Sequence, residues 1–393
     1  MQRRYVPFTE VKKRPALIVD SLHPYGLTLS HWRGAPTPAP LRDDTSAGSA
    51  LTALRLNYPG LETELVTANH FDIDGFVGIW SLLNPNKALE NEVLLREMAL
   101  IGDFRELDLQ RPFADEALKL VCWLNAEEKA RFYPPFGADD LEDSEVRLSP
   151  PKFDYFLQIF GEVLDNPERG RSLWQAEYDR VKADYALIHG PQTRITRVKE
   201  LGLLIVETPQ PVHYYALFSL TTGFDIVVSM YSENRYELEY KYTTWVDLAS
   251  RPTLPRVSLS PLVSQLNKME QNVGRWSAEA VTDTGPILRL NAQSLSKMER
   301  YAHPFERPIY ASAIEPALFK QTVLDFFRKS YLGIEPKKDW SWNEIKRLGQ
   351  GAVSKVGSVK IIAKLLTFQD LEVVLPIERS LADCLLNYQV VFG

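Results

Sequence analysis

The sequence predicts an α/β fold: a parallel sheet in an N-terminal domain, a smaller α/β domain behind it, and a C-terminal extension. Three observations predict it. Short apolar runs at 15–20 (PALIVD) and 64–69 (ELVTAN) end in polar residues and lead through loops into helix-like segments, the pattern of strands buried in a parallel sheet. A second block repeats the alternation of strand-like and helix-like segments beyond residue 200. A chain of 393 residues also exceeds one ordinary core, which predicts two or three domains. The boundaries read as 1–150, 151–299 and 300–393.

Element by element, 15–20 reads as a buried strand and 21–44, rich in Pro and Gly, as a loop. Asp44, Thr45 and Ser46 offer side-chain oxygens to cap a helix running to about Leu56, which Tyr58-Pro59-Gly60 ends. The segment 64–69 is the second strand, and 75–83 an apolar helix stopped by Asn84-Pro85. Another helix over 88–101 leads to Gly102-Asp103-Phe104. Residues 112–200 read as mainly helical with an acidic break at 138–146, except that 184–189 (DYALIH) reads as a strand. Further strands fall at 201–207, 224–230 and 236–245, the last two as a hairpin, with a helix starting at 213. A helix over 259–269 has Ser258 and Ser260 as candidate caps. After a Pro-rich joint near 302–308 come a helix near 316–331 and an apolar stretch at 359–366.

Composition removes several function classes. The formal charge of -6 argues against a surface that coats nucleic acid, so no long duplex is expected as a partner. Two cysteines, Cys122 and Cys384, exclude a zinc ribbon or a disulfide framework and read as reduced, buried thiols. No apolar run approaches the roughly 18 residues of a membrane span, and the N-terminus has no apolar signal core. The expectation is a cytoplasmic protein without a membrane partner, with a homodimer left open.

The chemistry concentrates in His70-Phe71-Asp72-Ile73-Asp74-Gly75 at the end of the second strand. In extended backbone, residues two and four apart share a side, so one imidazole and two carboxylates converge. Oxygen ligands with added imidazole suit divalent cations, and Mn2+ or Mg2+ is the expected cofactor. Gly75 permits the turn into the next helix. The bland alternative is that Asp72 or Asp74 only caps that helix while His70 packs. Asp20, His23 and His31 follow the first strand; His23 is a further candidate ligand, and Asp20 and His31 are candidates for the shell or for a general base. Arg33 in the same loop is a candidate anion contact. Gly274, Arg275 and Trp276 are candidates for substrate binding through backbone N–H groups, guanidinium and ring, though a helix cap and a packed Trp explain them equally well. His189 and His213 read as structural.

The stretch NHFDIDGFVGIWSLL resembles the first motif of the DHH phosphoesterase superfamily. FDIVVSMYSENRYELEYKYTTWV and VSLSPLVSQLNKMEQNVGRW are more loosely similar to that group's associated C-terminal domain. LTLSHWRG together with HFDIDG also resembles an uncharacterised bacterial family. The first resemblance implies a manganese-dependent hydrolase of phosphate esters or anhydrides that uses metal-activated water. It implies Asp72 and Asp74 as the motif's acids, His70 as its leading ligand, and Asp103 as the aspartate of a second motif at the next strand end. The chain has no Asp-His-His triplet, the group's namesake, and no histidine between 70 and 189. The expectation is a metal-dependent hydrolase of a small anionic, nucleotide-like substrate. The alternatives are a metal enzyme acting on an amide or biosynthetic intermediate, and a degenerate domain that binds a nucleotide or a protein.

Overall fold

A computed structural model describes residues 2–132, 143–296, 299–300 and 302–348. The fold is α/β, and its first sheet has four parallel strands: β1 Arg4–Tyr5, β2 Ala16–Val19, β3 Gly26–Leu29 and β4 Leu65–Thr67. Their order is β1-β4-β2-β3. Every residue of β2 and β4 is buried, as expected of strands covered on both faces. From β2 the chain runs to β3 on one side and then, through the helix Ser46–Arg55, to β4 on the other. Strand order therefore reverses between β2 and β4. In open α/β sheets ligands gather beyond the carboxyl ends of the strands at such a switch point.

Strand β3 lies inside the segment that reads as a loop. Four residues are too few to display a period, and a parallel pair ordinarily needs a crossover of about a dozen residues. Here residues 20–25 alone return the chain, starting with Asp20 in a left-handed conformation (φ 45). Gly26 makes the close approach possible. Its φ is 130, and a Cβ there would lie 1.9 Å from the Ala16 carbonyl oxygen.

The helices follow local signals with two departures. Thr45 caps Ser46–Arg55 by accepting from Gly48 N (2.9 Å), and Asp72 caps Ile73–Leu83 by accepting from Gly75 N (2.7 Å). The helix expected over 88–101 is two helices, Pro85–Glu90 and Glu92–Phe104, divided at Asn91. Residues 184–188 are not a strand but the last turn and more of the helix Arg171–Ile188. Val181, Asp184 and Ile188 are its buried residues there, spaced three and four apart, which is helical packing.

The second sheet has six strands: β5 Arg194–Val198, β6 Leu203–Thr208, β7 Ile226–Tyr231, β8 Arg235–Tyr240, β9 Trp276–Ala278 and β10 Ile287–Leu290. Their order is β5-β6-β7-β8-β10-β9, antiparallel except for β6 with β7. Strand β8 stops at Tyr240, five residues before the expected strand end, and a 3-10 turn follows over Tyr242–Thr244. Its alternation separates two faces. Tyr236 stacks on Phe319 of the helix Pro316–Ser330 and Tyr240 packs edge-on to Phe327, while Glu239 and Lys241 reach Arg105 and Glu106.

The apolar cores divide the chain elsewhere than at 150 and 299. The first core takes in residues from Leu17 to Val181 with Tyr215, so the helices through Val181 pack with the first sheet, while Ile188 packs with Leu204 and Val206 of the second. Phe319, Val323 and Phe327 belong to the core of the second sheet, so 302–348 is part of that unit. The apolar stretch at 359–366 and Cys384 lie outside the described residues, and Cys122 is buried and free. Among the described residues no helix is long and apolar enough to cross a membrane.

Three buried contacts fasten the units. Arg105 pairs with Glu239 (2.8 Å) and Lys241 with Glu106. Arg33 does not face a ligand: it is 7% exposed and donates to the carbonyls of Trp340 (2.6 Å), Thr244 (2.7 Å) and Val246 (3.0 Å).

Gly26→Ala is expected to cost at least about 2 kcal/mol, because both its φ and the Ala16 carbonyl oppose a side chain. Urea unfolding of the variant measures this, and a midpoint equal to that of the natural protein would contradict the account of β3.

Candidate metal centre

Three adjacent strands deliver the site. Asp20 ends β2, His31 lies two residues past β3, and His70 and Asp72 follow β4. Asp74 sits in the first turn of the helix that Asp72 caps, and Asp103 comes from the last turn of Glu92–Phe104. Asp103 is thus at a helix end, not at a strand end. The macrodipole is negative there and disfavours a carboxylate.

These groups form two triads that share Asp20: Asp20 with His31 and Asp74, and Asp20 with His70 and Asp72. His31 Nε2 lies 3.4 Å from Asp20 Oδ1, 3.7 Å from Asp74 Oδ2 and 3.8 Å from Asp103 Oδ2. His70 Nε2 lies 3.5 Å from Asp20 Oδ2 and 3.5 Å from Asp72 Oδ2. One carboxylate oxygen of Asp20 therefore faces each imidazole.

Hydrogen bonds orient both rings. His31 Nδ1 is 2.6 Å from the Asp44 carbonyl oxygen, which can only accept, so Nδ1 carries the proton. In its neutral form the ring turns the lone pair of Nε2 toward the carboxylates, as metal-binding histidines do. His70 Nδ1 is held the same way by Asn69 Oδ1 at 2.7 Å. Asp74 is pinned by the N-terminus of the helix Ser46–Arg55: its oxygens accept from Ser46 N and Ala47 N, each at 2.8 Å. Ser46 Oγ also donates to Asp20 Oδ1 (2.8 Å). Asp72 and Asp74 thus do cap helices, Asp74 a neighbouring one, and face the centre as well.

The electrostatics are strained. Burial raises the Asp74 carboxyl to about 7, with Asp20 and Asp72 adding to the rise and His31 opposing it. Burial likewise pushes Asp103 well above the usual carboxylate range, helped by the three other aspartates. Burial acts to lower His31, but Asp103, Asp20 and Asp74 outweigh it and hold the imidazole well above its ordinary value. Asp20 goes the other way: burial would raise it, and the neighbouring His31 and His70 imidazoles lower it.

The residues fit a divalent cation. Asp20 Oδ2, His31 Nε2 and Asp103 Oδ2 are buried with no hydrogen-bond partner among the described residues. Two orphaned carboxylate oxygens and an imidazole nitrogen converging in one place require a proton or a cation between them. The donor set of imidazole and carboxylate suits Mn2+ and related ions, and the all-oxygen preference of Mg2+ fits it less well. A third group, Glu177 with His213 and His303, does not fit. There Nδ1 of His213 accepts from Tyr215 N (3.1 Å) and Nδ1 of His303 from Tyr214 N (3.3 Å). In the neutral rings Nε2 then carries the proton and has no lone pair for a cation; that of His213 lies 3.3 Å from Glu177 Oε1.

A cavity of about 410 Å³ opens beside the centre, between the two units. His70, Asp72 and Asp103 line one wall, and Arg105, Lys241 and Tyr242 another. Several sequence candidates are elsewhere. His23 packs edge-on to Phe8, and its Nδ1 accepts from Tyr25 N (3.2 Å), away from the acids. Trp276 is a core residue against Phe319, with Nε1 donating to Glu270 (3.0 Å). Arg275 is exposed at the outer edge strand, where its N–H donates to Asn291 Oδ1 (2.8 Å), and Gly274 packs against Leu290. None of the three lines the cavity. His189 is structural, stacked on Tyr185. Sequence reasoning missed Arg105 and Tyr242. Their only signal was position, at a helix end and at the end of an alternating strand.

A family model described as a family of unknown function (DUF6687) matches residues 1–338. No curated protein and no solved structure matches the chain.

Asp103→Asn removes a buried charge and breaks no hydrogen bond recorded for its orphaned oxygen. A carboxyl whose folded pKa exceeds its unfolded value loses stability as pH rises. The variant, stripped of metal, is therefore expected to gain on the order of 1 kcal/mol over the natural protein, more at pH 8 than at pH 5. Its Mn2+ affinity is expected to fall at least about tenfold. Thermal melts and calorimetric Mn2+ titration read the two effects; a less stable variant with unchanged affinity is the contrary result.

Proposed function

The chain belongs to that family of unknown function, and we propose from its site that it is a metal-dependent hydrolase of a small phosphoester or phosphoanhydride. The observation that carries the reading is the pair of triads sharing Asp20. It favours two divalent ions with Asp20 between them, His31 and Asp74 on one side and His70 and Asp72 on the other.

When bound, such ions lower the pKa of a coordinated water and neutralise charge on the reacting centre. The chain's own residues do the rest. Asp44 and Asn69 fix the two imidazoles so that Nε2 faces the ligand position. The helix Ser46–Arg55 holds Asp74 against rotation. Asp103 Oδ2, which no described donor reaches, is available to accept a proton from the attacking water. The second sheet covers the centre and leaves a cavity of about 410 Å³, a size for a small molecule and not for a duplex.

Support also comes from the likeness of NHFDIDG to the first DHH motif. Where that superfamily carries its Asp-His-His triplet, this reading uses His31 and Asp103. The scarcity of cysteine fits a reducing cytoplasm as the setting.

The test is hydrolysis of p-nitrophenyl phosphate, bis(p-nitrophenyl) phosphate and pyrophosphate by EDTA-treated protein before and after Mn2+ is restored. Turnover of at least one is expected only with Mn2+, and Asp20→Asn is expected to lower it at least about 100-fold with the fold intact by circular dichroism. Rates equal to buffer for all three substrates, or indifference to Asp20→Asn, would refute the reading.

A further inference from the structure

We infer that Tyr242, from the second unit, is a substrate-contacting residue whose phenol donates a hydrogen bond to an oxyanion held at the metal centre. The inference rests on the hydrolase reading above.

Tyr242 opens the turn after β8 and lines the cavity together with His70, Asp72 and Asp103. Its ring centroid is 5.9 Å from that of His31 and 6.3 Å from that of Phe104. Tyr242 is half-buried between buried neighbours, and no hydrogen bond to its hydroxyl is present among the described residues, which leaves the phenol open to the cavity. A phenol turned toward a polar cavity, beside a cation site, has a substrate oxygen as its natural acceptor.

The surroundings position it. Lys241, the preceding residue, is ion-paired with Glu106, and its backbone N–H donates to the Asp225 carbonyl (2.9 Å). Thr243 donates to Asp225 Oδ1 (2.7 Å), and the same carboxylate takes both Nη atoms of Arg251. Thr244 accepts from Arg33 through its carbonyl and from Arg256 through its hydroxyl. Trp245 stacks on the Tyr242 ring at 5.5 Å and 14°. Each neighbour of Tyr242 is engaged elsewhere, so the turn is rigid and the phenol is presented at a fixed place. Preorganised donors of this kind gain most from an anion, because little order remains to be imposed.

Two of the cations on the cavity wall are already engaged, and a third, Arg300, is exposed. Arg105 is held by Glu239 and lies 3.9 Å over the Tyr214 ring, and Lys241 is held by Glu106. A neutral donor at Tyr242 therefore supplements the metal centre where these two charges do not.

The test compares Tyr242→Phe with the natural full-length chain. Phenylalanine keeps the stacking on Trp245 and removes only the hydroxyl. Calorimetry first measures Mn2+ binding to both proteins, then inorganic phosphate binding to both in saturating Mn2+. Equal Mn2+ affinity and equal melting temperatures are expected, with phosphate affinity at least about tenfold weaker in the variant, the effect of one hydrogen bond to a charged group. Phosphate binding that is equal in the two proteins, or absent from the Mn2+-loaded natural chain, overturns the role of Tyr242. Absence of Mn2+ uptake by the natural chain instead overturns the hydrolase reading itself.

Discussion

Four buried or half-buried carboxylates, Asp20, Asp72, Asp74 and Asp103, surround two imidazoles, and the rest of the molecule is arranged around that repulsion. Carboxylates withdrawn from water and placed beside one another oppose ionisation. Two features temper this. The N–H groups of Ser46 and Ala47 satisfy Asp74, and the imidazoles offset Asp20. Asp103 has only the His31 imidazole, 3.8 Å away, and its oxygen without a hydrogen bond sits at the negative end of its own helix. A protein that needed only a stable core would fill this volume with apolar side chains. In the proposed function, a cation would supply the missing stabilisation.

The second unit completes the centre rather than standing beside it. Its pairs Glu239–Arg105 and Lys241–Glu106 reach the residues directly after Asp103. Arg33, two residues past His31, threads into the carbonyls around Thr244 and Val246. The loop that carries His31 and the turn that carries Tyr242 are therefore held by one guanidinium, which couples the position of a ligand to the position of a cavity wall. Losing these donors would leave buried carbonyls unpaired, a cost that resists sliding of one unit on the other.

The parts of this arrangement that were legible in the sequence are local. An apolar run ending in Asp20, the Thr45 cap, and His70, Asp72 and Asp74 ahead of an apolar helix are each set by neighbours within a few residues. What was not legible depends on distance or on brevity. Strand β3 is four residues long, and the decisive signal, Gly26 against Ala16, is a clash visible only once the strands pair. DYALIH has the composition of a strand, and only its packing every third or fourth residue shows a helix. Arg33 looked like a loop cation open to an anion because its partners lie 211 to 307 residues away. Gly274, Arg275 and Trp276 looked like a substrate loop, but β9 is an edge strand whose Trp turns inward. Tyr242 carried no local mark, since its place follows from the pairing of β8 with β7 and β10.

The most direct measurement is anomalous diffraction at the manganese edge from crystals grown with Mn2+. The account predicts anomalous peaks on both sides of Asp20, one among Asp20, His31 and Asp74 and one among Asp20, His70 and Asp72. Well-ordered crystals without a peak at either position would contradict it.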